Sequence, residues 1–489
     1  MLVLAALLHV SVAFTTPLLF NNAGLDKFEK GIAGIVNVSH LHVFLHHLDQ
    51  DQALDYTGSD AKELALLKEK CEHSKKNKSS ILPGNTIGGD DIEDVNERAG
   101  IEGDMYEGDI ILTNEQVGIL ERLAKDKNAT RSKRQAMVDA KYGWGNNPSI
   151  PYSFAASYPA DRHEPTKTAM KFWSDNTCVS FRPATAADKN KVEVRDSVGC
   201  SSMVGKVGGV QPLNLAAGCM DIGTIAHELS HTLGIFHVQS RSDRDKYVLL
   251  DNANIENGMA HNFNVEANTV TYDIPYEFGS NMHYGAGDFA RDKKRPVLLA
   301  RTGYEVYQHG MMGRLPTFYD IMLVNKHYNC YANCPKAITC VNGGVVDVRN
   351  CNKCKCPFGW TGTNCSQRPA GAQTLTAKAT PQQFRANLGT QGAKATSTIT
   401  SQFYIINAPV GKRVEVTPSY DGTQWTNSCS SMGAIIQFKS DPRYAGVQIC
   451  DFRVKYSPIV SEKNVVIIEA YTRGGQTQTT FNYRFVVCP

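Results

Sequence analysis

The sequence carries no excess of either charge. Its 51 Lys and Arg against 48 Asp and Glu leave a formal +3 over 489 residues. No basic stripe stands out, which argues against nucleic acid as a partner. There is no apolar run long enough to span a bilayer, which takes about 20 residues. The one apolar stretch, residues 1–13 (MLVLAALLHVSVA), is too short, and it lacks the basic lead-in of a signal peptide. Its small residues Ser11 and Ala13 still make a signal peptide cut after Ala13 the expected reading, with a buried N-terminal helix as the alternative. Cysteine is scarce early: of 14, only Cys71 precedes Cys178. The late clustering implies disulfides and an oxidising compartment. A chain of this length exceeds one core and divides into roughly two to four domains.

What is present is concentrated in residues 226–245 (AHELSHTLGIFHVQSRSDRD). On a helix, His227 and His231 share one face, so both imidazoles can hold one zinc ion with Glu228 a turn from it. Gly234 permits a left-handed turn, after which His237 can swing back as a third nitrogen ligand. Three protein ligands leave a position for water, the mark of a catalytic zinc; a structural one is closed by four. An H-x-x-x-H pair alone would be read as a solvated helix face, but Gly234 and His237 at fixed offsets weigh against accident.

Ser280-Asn281-Met282-His283-Tyr284 supplies a Met after a tight turn, and HExxHxxGxxH followed by a Met-turn is the metzincin pattern. Within metzincins the chain resembles the astacin family: Arg241-Ser242-Asp243-Arg244-Asp245 matches R-x-D-R-D, and Ser280 to Tyr284 matches S-x-M-H-Y. The resemblance covers residues 135–333 and implies an α+β, two-lobed catalytic domain with a cleft between the lobes. It implies peptide-bond hydrolysis with one zinc per subunit on His227, His231 and His237, Glu228 as general base and Tyr284 as a zinc ligand that turns to the oxyanion. Met282 would lie under the histidines as an apolar floor. The resemblance also pairs Cys178–Cys330 and Cys200–Cys219, closing long and short loops worth about 4–5 and 3 kcal/mol in the chain-entropy model. Pro151-Tyr152-Ser153-Phe154 resembles the family's first strand, and residues 169–173 its first long helix. Two positions depart from the pattern. Val238 stands where astacins often carry the Glu that ties down the mature N-terminus, and Ser201-Ser202-Met203 replaces aromatics on the substrate-side strand. Arg314 is a candidate for favouring an acidic substrate residue.

Residues 14–134 read as a pro-region. Residues 61–70 (AKELALLKEK) form a helical pattern with Leu64, Leu66 and Leu67 as its apolar stripe, and the acidic, Gly-rich residues 88–108 are expected to be extended or mobile. Tyr106-Glu107-Gly108-Asp109 resembles the F-x-G-D of astacin pro-segments, which implies that the Asp109 carboxylate occupies the zinc and keeps the enzyme latent; an ordinary acidic turn is the alternative. Arg131-Ser132-Lys133-Arg134 is a multibasic cut site that would release Gln135, or else a solvated linker.

Cys334, Cys340, Cys351, Cys354, Cys356 and Cys365 crowd residues 334–366. CPFGWTGTNC has the spacing of an EGF-like module, which implies the pairs Cys334–Cys351, Cys340–Cys354 and Cys356–Cys365; a Cys-rich zinc site is disfavoured by the oxidising context. No acidic calcium-binding lead-in precedes Cys334. Residues 367–385 are polar and read as a linker. From 386 to 489, short β-rich runs alternate with turns, as in a β-sandwich, and Cys429–Cys450 gives it a partial resemblance to a CUB domain, leaving Cys488 without an assigned partner. Asn37, Asn77, Asn128 and Asn364 lie in glycosylation sequons. The expectation is a secreted zinc endopeptidase made as a zymogen, acting on extracellular matrix, cuticle or eggshell proteins, with matrix partners through the EGF-like and CUB-like domains. The alternatives are a non-enzymatic matrix-binding protein with a structural zinc, which the intact Glu228 argues against, and another metzincin branch, which Tyr284 and R-x-D-R-D argue against.

Overall fold

The computed structural model describes residues 22–32, 35–50, 56–76, 91–125, 135–137, 139–266, 269–393, 399–421, 429, 431–451 and 454–487. The expected signal segment, the Arg134 cut site, the sequons Asn77 and Asn128, and Cys488 lie outside them, as does the side chain of Cys71.

Three helices open the described chain: α1 (Asn22–Ile32), α2 (Val38–Gln50) and α3 (Gly58–Lys76). α3 lays Leu67 and Leu64 against Leu249 and Leu299, while Leu66 is 46% exposed. The expected stripe therefore holds for two of its three residues, because Leu64 and Leu67 are three apart and share a face that Leu66 misses. Lys68 reaches Asp251, and Arg301 reaches Asp60 and Glu63, fastening the same helix.

The segment expected to be extended or mobile contains a helix, α4 (Ile92–Ala99). Asp91 caps it by accepting from Asp94 N–H at 2.9 Å, and Gly100 ends it at φ +68°. Burial of Ile92 and Val95 overrides the weak local signal, and Asn96 locks the helix in place. Its amide donates to Gly108 O and Cys200 O and accepts from Cys200 N–H. β1 (Ile110–Ile111), α5 (Asn114–Lys125) and β2 (Ala136–Met137) follow.

β3 (Ser149–Phe154), α6 (His163–Asn176), β4 (Ser180–Pro183), β5 (Lys191–Arg195), β6 (Cys200–Met203), β7 (Val210–Leu215) and α7 (Ile222–Thr232) come next. The sheet order is β1-β6-β7-β5-β3-β4. β3, β4, β5 and β7 run parallel and are covered by the two helices, which meet where Trp173 Nε1 donates to Ala226 O. β6 is antiparallel to β7, and its open edge is taken by β1 in parallel register, Ile110 opposite Ser202. The region closes with β8 (Val248–Leu250), β9 (Thr269–Val270), β10 (Leu298–Ala300) and α8 (Phe318–His327). β8 pairs with β10, and β9 with β2.

Disulfides join Cys178–Cys330 and Cys200–Cys219, then Cys334–Cys351, Cys340–Cys354 and Cys356–Cys365 in a small module. That module has only the hairpin β11 (Val345–Asp347) and β12 (Asn350–Lys355), so its bridges stand in for a core. Arg349 anchors it by donating to Ser174 O, Thr177 O and Val179 O at the end of α6.

Among the described residues, nine strands make the C-terminal sandwich: β13 (Gln373–Thr376), β14 (Gln382–Leu388), β15 (Thr400–Asn407), β16 (Arg413–Tyr420), β17 (Met432–Gln437), β18 (Val447–Ile449), β19 (Ile459–Val460), β20 (Val465–Thr472) and β21 (Thr477–Val486). One sheet is β13-β15-β20-β17-β18 and the other β14-β21-β16-β19, with Cys429–Cys450 beside them. Residues 367–385 are therefore not simply a linker. Gln373–Thr376 is an edge strand and Gln382 starts the next, and both are mostly solvent-facing, which explains their polar composition.

Candidate metal centre and catalytic cleft

α7 carries His227, Glu228 and His231 in its last turns, all buried. Gly234 follows at φ +88° and reverses the chain, so that His237 returns to the same point. His227 Nε2 lies 3.1 Å from both His231 Nε2 and His237 Nε2. Asp109 completes the group, its carboxylate 3.0, 3.4 and 3.3 Å from His227, His231 and His237.

These spacings fit a cation. Four donors arranged as a tetrahedron about 2.0–2.1 Å from zinc stand about 3.3–3.4 Å apart. The protonation pattern agrees. His227 Nδ1 faces Asn281 O at 2.5 Å and His231 Nδ1 faces Ile235 O at 2.7 Å, and a carbonyl can only accept. His237 Nδ1 lies 2.6 Å from Glu107 Oε2. With the protons on Nδ1, three Nε2 lone pairs converge and repel unless a positive charge sits among them. Burial lowers His227 to about 4. At His237 burial acts the same way, but the carboxylates of Asp109 and Glu107 outweigh it, so the pocket favours a positive charge there, either a second ring proton or a metal ion in its place. Against its own burial, Asp109 is held well below the ordinary carboxylate range by the facing histidines.

Glu228 is fully buried, and neither carboxylate oxygen has a hydrogen-bond partner among the described residues. Burial first, then the charge of Asp109, pushes its pKa well above the ordinary value. Tyr284 donates its hydroxyl to Glu107 O at 2.7 Å, and its own N–H donates to Gln239 Oε1. Its hydroxyl is thus turned to the Tyr106–Asp109 segment, whose Asp109 faces His227, His231 and His237. Met282 is buried, and its carbonyl accepts from Val238 N–H at 2.7 Å, fastening the Met-turn to the chain after the third histidine.

R-x-D-R-D acts as a brace. Arg241 holds Asp243 with two hydrogen bonds of 2.9 and 3.0 Å and reaches the carbonyls of Ile274 and Pro275, and Arg244 reaches those of Gln239 and Phe263. Gln135 is buried, with its carbonyl accepting from Phe236 N–H and its amide 3.5 Å from Arg241 Nη1. Val238 is buried in the apolar core. Arg314 lines the cleft, but its guanidinium sits 4.5 Å above the Tyr471 ring of the sandwich. Sequence reasoning missed Glu107, Gln239 and the carbonyls of Asn281 and Ile235. Only Glu107 had a signal, its place inside the Tyr106–Asp109 motif.

An active-site helix ending in a glycine turn, three converging imidazoles and a Met-turn define a zinc-dependent peptidase centre. The family model for Astacin, a peptidase family, matches residues 136–329. The chain is 34% identical over 414 residues to "Zinc metalloproteinase nas-31" of Caenorhabditis elegans, covering 81% of this chain and 66% of that one. It is 32% identical over 408 residues to "Zinc metalloproteinase nas-17" of the same organism, covering 82% and 90%. Among solved structures, High choriolytic enzyme 1, a hatching enzyme zinc-protease from medaka, matches at 33% identity over 40% of this chain and 98% of its own, with a TM-score of 0.37. The chain belongs to the astacin family of zinc metalloendopeptidases. It spans less than two thirds of the length of some curated relatives, 60% for nas-32.

Proposed function

We propose that the chain is a secreted zinc endopeptidase made as a zymogen, with residues 14–134 as pro-region, residues 135–333 as peptidase domain, 334–366 as an EGF-like module and the sandwich as a CUB-like domain. The observation that carries the reading is the convergence of Asp109 on His227, His231 and His237. Zinc held by the three histidines supplies Lewis acidity toward water and the scissile carbonyl. In the latent form Asp109 fills the position a water needs, and β1 covers the β6 edge along which an extended peptide would pair. Release of the pro-region removes both, and it removes one of the two causes that hold Glu228 high, leaving a carboxylate able to take a proton from water and return it to the leaving amine. The same release frees the Tyr284 hydroxyl from Glu107 O to donate to the oxyanion. Cleavage after Arg134 starts the release, and Gln135 is already seated when it happens.

Among the described residues, six disulfides support an extracellular setting, and no helix is long and apolar enough to cross a membrane. Of the described sequons, Asn37 is exposed and Asn364 half-buried, so both sequons allow glycosylation, and Asn364 is the one retained after cleavage at Arg134. The substrates in this reading are extracellular proteins of matrix, cuticle or eggshell type. The test is digestion of a broad peptide library by the chain before and after cleavage at Arg134, with and without a zinc chelator. Chelator-sensitive cutting should appear only after processing and be absent from Glu228→Ala. Folded, zinc-loaded, processed protein that cuts nothing would overturn the reading.

A further inference from the structure

We propose that Glu277 is a positioning residue for the zinc site, and that it acts by tying the C-terminal sandwich to the Met-turn. The inference rests on the peptidase reading above. Glu277 lies just before Ser280-Asn281-Met282-His283-Tyr284 and is buried. One carboxylate oxygen accepts from Gly279 N–H at 3.2 Å and the other from Ala445 N–H, in the loop between β17 and β18 of the sandwich, at 2.8 Å. One side chain thus holds the entry to the Met-turn and the sandwich loop together.

From there the path to the metal is short. Ser280 N–H donates to Glu277 O, Ser280 Oγ donates to Asp320 Oδ1 and accepts from Met282 N–H, and Asn281 O receives His227 Nδ1–H. The carbonyl that fixes the orientation of the first histidine is therefore two residues from the tied glycine. A second tie runs in parallel, since Tyr319, beside Asp320 on α8, donates to Asp441 Oδ2 of the same sandwich loop at 2.7 Å. Metal-ligating imidazoles depend on the group that accepts from their far nitrogen, so a shift of that carbonyl reaches metal retention and turnover together.

The contact leaves no room. A Cβ built on Gly279 stands 2.7 Å from the Ala445 Cβ, and its next neighbour is at 3.8 Å. The backbone of Gly279 is not in the left-handed region, so alanine there is opposed by the sandwich alone. This makes a two-residue test across the module boundary. In the full chain, Gly279→Ala should speed zinc release to a chromogenic chelator and, after processing, lower kcat by about tenfold with little change in KM, the effect of a misplacement well under 1 Å. Ala445→Gly alone should behave as the parent, and the double variant Gly279→Ala/Ala445→Gly should recover both readings. Glu277→Gln, which keeps the volume but can accept only one of the two N–H groups, should reproduce the Gly279→Ala effects.

A raised KM with unchanged kcat and zinc release would instead make the sandwich a substrate-binding surface and overturn the proposal. So would a Gly279→Ala defect that Ala445→Gly does not relieve, or no defect at all. A parent chain that holds zinc yet cuts no peptide would count against the peptidase reading, while the zinc-release readings of the four variants would still decide the tie.

Discussion

Asp109 Oδ2 stands 3.0 Å from His227 Nε2, across 118 residues of sequence. The same carboxylate faces His231 and His237, so one side chain from outside the matched peptidase region completes a donor set that the three histidines leave one short. Removing it should unlock the site. Asp109→Ala is expected to give the uncleaved chain a basal peptidase activity about tenfold or more above the parent, the effect of losing about 1.4 kcal/mol of latching. The rate of peptide hydrolysis before any processing checks this, and an unchanged rate would place latency elsewhere in the pro-region.

Glu228 has no hydrogen-bond partner among the described residues and no role in the donor set. Glu228→Gln should therefore leave the zinc content at one per chain while kcat of the processed enzyme falls by about 10²–10⁴, the usual contribution of a general base. Metal analysis and turnover on the same sample separate the two. Loss of zinc with loss of activity would show that Glu228 holds the site together.

Tyr284 is fastened to Glu107 O in this form. If it donates to the oxyanion once freed, Tyr284→Phe should lower kcat by about 10²–10³, or about 3–4 kcal/mol of barrier, with KM little changed. Its effect on the uncleaved chain should run the other way, because losing the bond to Glu107 weakens the pro-region's hold. A Tyr284→Phe enzyme with parental kcat would assign the residue to packing.

The active-site pattern was legible because it is local. Positions 227 and 231 share a helix face by the helical repeat, and Gly234 and His237 follow at offsets fixed by one turn. Residues that complete the site through tertiary contact left no such trace. The Asn281 and Ile235 carbonyls are backbone groups, and Glu277 gains its meaning from Ala445, 168 residues away. α4 was hidden for a related reason. It has eight residues, too few to show a period, and it owes its helicity to Asp91, Gly100 and the surface it buries. At the sandwich's start, solvent-facing edge strands look polar and read as linker.

Stability of the uncleaved chain should depend on pH in a direction set by buried carboxyls. Glu266, against Tyr106, is raised to about 8 by burial and then by the charge of Glu107. Burial also raises Glu102 and Glu277 to about 8. A carboxyl raised in the folded state binds its proton more tightly there than when unfolded. Its stabilisation is full below the ordinary carboxylate range and is lost as pH rises through about 8. The Tm of the uncleaved chain should fall between pH 6 and pH 8.5, and Glu266→Gln should flatten part of that slope. A Tm that rises across the interval would contradict the assignment.

The measurement that bears most directly on the account is zinc-edge X-ray absorption of the uncleaved chain beside its Asp109→Ala variant. One zinc per chain, with three imidazoles and one carboxylate oxygen at about 2.0–2.2 Å, is the predicted result, with the carboxylate replaced by water in the variant. A metal already coordinated by water in the uncleaved parent, and unaltered by Asp109→Ala, would contradict the latch at its centre.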